Sequence, residues 1–138
     1  NKAIDINSSN IDYLFTYAQI NEKIGFIKEA EIAYKKVLEI DKSDSESWLS
    51  YSNLLYKNNY TKEAIKVLKK GVKLNPKNAE LSYKLSIYLF NSGYEIQALS
   101  FFEKALSIDY DLHKYFLHKF PNLKDDKNLL HLLSKYEK

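Results

Sequence analysis

The chain has 138 residues, 45% of them hydrophobic, and 21 basic against 18 acidic side chains give a net charge of +3; this suits one domain of ordinary size. No apolar run approaches the about 18 residues of a spanning helix, no signal-peptide pattern opens the chain, and the lack of cysteine excludes disulfides, thiolate metal sites and cysteine nucleophiles. Every basic residue is Lys, so the Arg forks that grip phosphates and base edges are missing and nucleic-acid binding is disfavoured.

In chain order, residues 2–7 (Lys-Ala-Ile-Asp-Ile-Asn) read as the end of a helix. Apolar positions at three- and four-residue steps then predict helices over 10–24, 27–40, 44–58, 61–74, 78–92 and 95–108. Gly25, Asn59 and Gly93 fall where a first helix must end, and these residue types accept the left-handed conformation that closes a helix. Thr61 and a capping box of Ser43 and Glu46 are expected to open helices, and Pro76 follows the end of another. Gly71 lies inside a predicted helix where its equivalents are Val37 and Ala105, so Gly71→Ala is expected to stabilise. A further helix begins near Asp111 and must stop near Phe120, because Pro121 cannot continue the ladder. Asp125 or Asp126 then caps a last helix whose apolar face is Leu129, Leu130, Leu132, Leu133 and Tyr136.

These segments repeat. Ala30, Ala64 and Ala98 stand 34 residues apart, and the same register aligns Phe26 with Tyr60 and Tyr94, Lys36 with Lys70 and Lys104, and Leu38 with Val72 and Leu106. So many columns agreeing without an insertion mark a repeat architecture. Ala18, Ser52 and Ser86, with the alanines above, occupy the close crossing of two helices, where larger side chains would hold them apart.

The residues resemble the tetratricopeptide repeat (TPR) family, a 34-residue helix-turn-helix. In the second unit Trp48, Tyr51, Ser52, Leu55, Ala64, Leu68 and Pro76 carry the signature spacing. Leu14, Tyr17, Ala18, Asn21, Ala30, Tyr34 and Val37 carry it in the first, and Ser82, Leu85, Ser86, Leu89, Ala98, Phe102 and Ala105 in the third. The resemblance implies an all-α fold, an α-solenoid in which antiparallel helix pairs form a right-handed superhelix. Three full units are expected (11–44, 45–78 and 79–112), preceded by the end of a truncated unit (1–10) and followed by a capping helix pair (113–138), all within one TPR domain. A start inside a second helix, with Ile4, Ile6 and Ile11 poorly covered, suggests a C-terminal piece of a longer array and self-association at that end.

No acid, base and nucleophile set converges, no phosphate-cradling loop occurs, and His113, His118 and His131 lack the spacing of a metal pair. A non-catalytic chain without cofactor or metal is therefore expected. The compartment stays open, with the cytoplasm favoured, and no membrane insertion is expected.

The family resemblance implies a concave groove lined by the first helix of each unit. Positions two, five, nine and twelve of each unit share one helical face. They place Asp12, Phe15, Gln19, Glu46, Leu49, Asn53, Tyr56, Glu80, Tyr83, Ile87 and Phe90 in that groove as an exposed apolar strip rimmed by acids. TPR proteins that bind acidic chaperone C-termini carry a Lys, Asn and Arg cluster here. The matching positions are Phe15, Gln19, Ser50, Glu80 and Lys84, of which only Lys84 fits. A partner peptide with Lys or Arg beside apolar residues fits the acids instead. The pentatricopeptide-type RNA readers have a longer period and a basic groove, unlike this chain. The other reading is a structural spacer or self-association segment whose groove is filled by the parent chain.

Overall fold

Helices form where the apolar spacing requires them, each within two residues of its expected ends. The computed structural model describes residues 8–137, so the helix end expected at residues 2–7, with Ile4 and Ile6, lies outside the described residues. Three helix pairs follow at constant offsets: α1 (Ser8–Lys23) and α2 (Ile27–Ile40), α3 (Ser45–Lys57) and α4 (Thr61–Leu74), α5 (Ala79–Asn91) and α6 (Glu95–Ile108). Then come α7 (His113–Lys119), a 3-10 turn (Pro121–Leu123) and α8 (Lys127–Tyr136), with no β-strand among the described residues. Residues 8–10 thus belong to α1 and not to an earlier unit.

The turn inside each pair is the same device three times. Gly25, Asn59 and Gly93 take φ of 90°, 70° and 87°. The residue after each donates its N–H back across the helix end: Phe26 to Asn21 O at 2.8 Å, Tyr60 to Leu55 O at 2.8 Å and Tyr94 to Leu89 O at 2.9 Å. That bond, made over five residues around a left-handed position, satisfies carbonyls the helix leaves orphaned.

Two caps differ from expectation. Asp44, and not Ser43, caps α3, its Oδ1 accepting from Ser47 N at 3.1 Å, while Ser43 turns back to donate to the Asp41 carboxylate. That pair of bonds holds the Asp41 carboxyl below the usual carboxylate range. Thr61 is already the first residue of α4, where the capping site is Tyr60, whose carbonyl accepts from Ala64 N at 2.9 Å. Asp126 does cap α8, accepting from Leu129 N at 3.0 Å.

Two compact units divide the chain within α4, one ending at Val67 and the other starting at Leu68. In the first, Ala18, Ala30 and Ala33 are buried and let the α1 and α2 backbones approach. Across to α3, Trp48 Nε1 donates to Lys42 O at 2.8 Å, the Tyr34 and Tyr51 rings stack at 6.3 Å, and Tyr51 Oη donates to Glu31 at 2.8 Å. Burial and the Glu31 carboxylate push the Tyr51 phenol up.

In the second unit α5 packs on α6 and on α7, and α8 packs on α6. Glu103 on α6 accepts from Lys135 Nζ and Tyr136 Oη, both at 2.8 Å. These two donors lower the Glu103 pKa. Leu129 is fully buried and Leu132, Leu133 and Tyr136 are half-buried, but Leu130, expected on the same face, is exposed. Pro121 ends α7 and opens the 3-10 turn, as its missing N–H dictates.

Candidate peptide-binding face

The first unit assembles its share of the expected strip. On α1, Asp12 and Gln19 are exposed and Phe15 is half-buried, its ring edge-on to Tyr34 at 5.8 Å. On α3, Glu46 is exposed and Leu49, Asn53 and Tyr56 are half-buried. The four-residue steps from Phe15 to Gln19 and from Leu49 to Asn53 keep each set on one face of its helix.

A hollow of about 630 Å³ opens beside this face, lined by Thr16, Gln19, Ile20, Glu22, Lys23 and Lys57. Its floor is a charged hydrogen-bonded group. Glu22 accepts from Tyr34 Oη at 3.0 Å and from Lys57 Nζ at 3.3 Å, tying α1 to both α2 and α3. Burial, then the Glu22 charge, pushes the Tyr34 phenol above its ordinary value. Lys57 was not among the expected site residues; its place directly after Tyr56 was the available signal.

The second unit corrects the strip. Glu80 is exposed and Phe90 half-buried, but Tyr83 and Ile87 are fully buried and cannot line an open groove. The cause is the tail of the chain. Tyr83 stacks on Phe116 of α7 at 5.1 Å, meets Phe102 of α6 edge-on at 5.4 Å, and donates its hydroxyl to Asp109 O at 2.6 Å. Ile87 lies one turn further along the same face of α5. Burial foremost, with the Asp109 charge, pushes the Tyr83 phenol up.

Lys84, the one residue that matched the chaperone-tail cluster, is half-buried, with Nζ 5.7 Å from the centres of both the Tyr88 and Phe120 rings. Burial and nearby Lys119 lower its pKa. Such a lysine is engaged with aromatic faces and is poorly placed to meet a carboxylate.

His113 is buried with Nδ1 against Tyr110 O, which fixes its proton on that nitrogen. Among the described residues no three His, Asp or Glu side chains gather as a cation site. No described helix is long and apolar enough to cross a membrane.

Paired helices whose second members are each 14 residues long, closed by one turn type and crossing on small residues, define an α-helical repeat protein. The tetratricopeptide repeat model matches residues 11–44 and 45–78, the boundaries the register predicts, and these two repeats belong to that family. A search of the curated proteins finds no match. Among solved structures, SycD of Yersinia enterocolitica in complex with a peptide of the translocator YopD is similar over 97% of this chain and 97% of its own, with TM-score 0.67 and 16% identity. MamA is similar over 94% of this chain and 78% of its own, with TM-score 0.66 and 20% identity. An O-GlcNAc transferase of Thermobaculum terrenum is similar over 94% of this chain but only 26% of its own, with TM-score 0.67 and 22% identity. At these identities the likeness is one of fold.

Proposed function

We propose that the chain is a non-catalytic protein-interaction module, part of a scaffold or adaptor, that seats an apolar peptide with basic residues on α1 and α3 of the first unit. The observation that carries this is a pair of corresponding faces, half-buried Phe15 with exposed Asp12 on α1 and half-buried Leu49, Asn53 and Tyr56 with exposed Glu46 on α3, beside the hollow at Gln19. Apolar area bordered by acids favours a partner with Lys or Arg next to Leu, Ile or Phe. Gln19 and Asn53 carry both donors and acceptors for a peptide backbone. A SycD structure holding a YopD peptide supports peptide capture as a use of this fold.

The rival reading, a groove filled by the protein's own chain, is favoured in the second unit by the covering of Tyr83. The test is fluorescence anisotropy with short labelled peptides of alternating Leu and Lys, against Leu and Glu controls. Only the Lys peptides should bind, Leu49→Ser should weaken them about tenfold, as loss of a central apolar anchor does, and Glu46→Lys should weaken them more at low salt than at high. Equal affinity for Glu peptides, or no effect of either substitution, would remove the proposal.

A further inference from the structure

Helix α4 carries a charge that nothing in the fold answers. Its five lysines against the single Glu63 give it +4, where the whole chain carries +3, so everything outside this helix sums to −1. The corresponding helices differ, since α2 balances three lysines with three glutamates and α6 sums to −1. Lys62, Lys66, Lys69 and Lys73 follow one another at steps of four, three and four, on one face of α4 and along about 16 Å of its length. Lys70 flanks them. All five are exposed, whereas Ala64, Leu68 and Gly71 on the opposite side of the helix are buried.

Five pairs of these lysines stand three or four residues apart, a spacing at which like charges destabilise a helix. No ion pair offsets them: among the described residues, Glu22, Glu31 and Glu103 take lysines outside α4. Nor does the repeat require lysine here. The same columns hold Lys28, Ile32, Lys35 and Glu39 on α2, and Ile96, Ser100, Glu103 and Ser107 on α6. A ridge of exposed, self-repelling cations is relieved by an anion from outside the chain.

We propose that this ridge is an electrostatic attachment site for an anionic lipid surface. Lysine is a compact, hydrated point charge and not a fork for one phosphate or carboxylate, so four in a line match a field of headgroups better than a single ligand. An acidic peptide fits less well. Exposed ion pairs are individually weak, and the entropy lost in ordering a flexible chain along the ridge would offset them. A leaflet draws in each nearby lysine without ordering a chain. Such attachment needs no spanning helix, and it is independent of the peptide reading, whose residues lie on α1 and α3.

Co-sedimentation of the 138-residue chain with vesicles tests it, using phosphatidylcholine alone and phosphatidylcholine mixed with phosphatidylserine. Binding is expected only to the anionic vesicles and should fade as salt rises. Lys66→Gln and Lys69→Gln should each weaken it about fivefold, the equivalent of about 1 kcal/mol per lysine. Replacing Lys62, Lys66, Lys69 and Lys73 together should leave only the level seen on neutral vesicles. The quadruple variant loses only solvent-facing charge, so its helicity by circular dichroism should hold; should it unfold, the two single variants still decide. Lys114 and Lys124 are exposed outside the ridge, and a Lys114→Gln, Lys124→Gln control should bind nearly as the parent does. No binding to anionic vesicles, or equal binding to neutral ones, overturns the proposal. An equal loss in the control overturns it too, because it would trace binding to the charge of the chain as a whole. Capture of a hexaglutamate peptide without vesicle binding would overturn it in favour of an acidic protein segment.

Discussion

Helices α3 and α5 occupy the same place in successive repeats, yet the column that holds Leu49 on α3 is half open and the column that holds Tyr83 on α5 is sealed. The difference lies in what fills the next column of the register. Within its own unit α5 meets α7, which starts 34 residues after it, and Phe116 lies flat against Tyr83, where the equivalent residue one repeat earlier is the small Ser82. A repeat register therefore fixes which way a side chain points on its helix, while whatever packs in front of it fixes whether solvent reaches it.

The largest test of this contrast is truncation in the two columns. Tyr83→Ala should cost about 3–5 kcal/mol, the range for removing a buried aromatic, whereas Leu49→Ala should cost about 1 kcal/mol, the centre of the range for single substitutions. Urea denaturation of both variants decides it, and equal costs would mean that the α7 cover contributes nothing.

A second test removes the cover's neighbour. Leu129 is the fully buried anchor of α8, so Leu129→Ala should lower stability by about 2–5 kcal/mol, while deleting residues 125–138 should also expose the α6 surface and reduce solubility. A deletion variant that melts unchanged would show α8 to be an appendage.

A smaller effect is expected in alkali. Tyr34, Tyr51 and Tyr83 all have phenols raised from 10.0, burial being the first cause in each. A group raised on folding stabilises fully below its unfolded value and loses that contribution as pH climbs, so the melting temperature should begin to fall near pH 10. Tyr83→Phe should make the fall shallower, at the cost of the hydroxyl bond to Asp109, about 1 kcal/mol at neutral pH. An unchanged alkaline profile in that variant would assign the effect to the other two phenols.

The helices were legible because each unit writes its own boundaries: a left-handed residue at Gly25, Asn59 and Gly93, small residues at the crossings, and apolar steps of three and four. Finer choices were not. Both Ser43 and Asp44 can cap a helix, and the backbone geometry that hands the task to Asp44 leaves Ser43 to bond Asp41. The Glu22 cluster joins residues 12 and 35 positions apart, separations at which no local pattern speaks. Exposure of Tyr83 was misjudged because the register tells which face a side chain occupies and not the size of what packs on it, here the Phe116 ring where one repeat earlier stands Ser82.

Trp48 is the chain's single tryptophan, buried at the α2–α3 junction with its indole N–H held by Lys42 O. It makes the molecule its own reporter. Indole emission follows the opening of the first unit alone, while circular dichroism sums helices from both. Superimposable denaturation curves from the two signals would mean that residues up to Val67 and residues from Leu68 unfold as one cooperative system, and separated curves would give each its own midpoint.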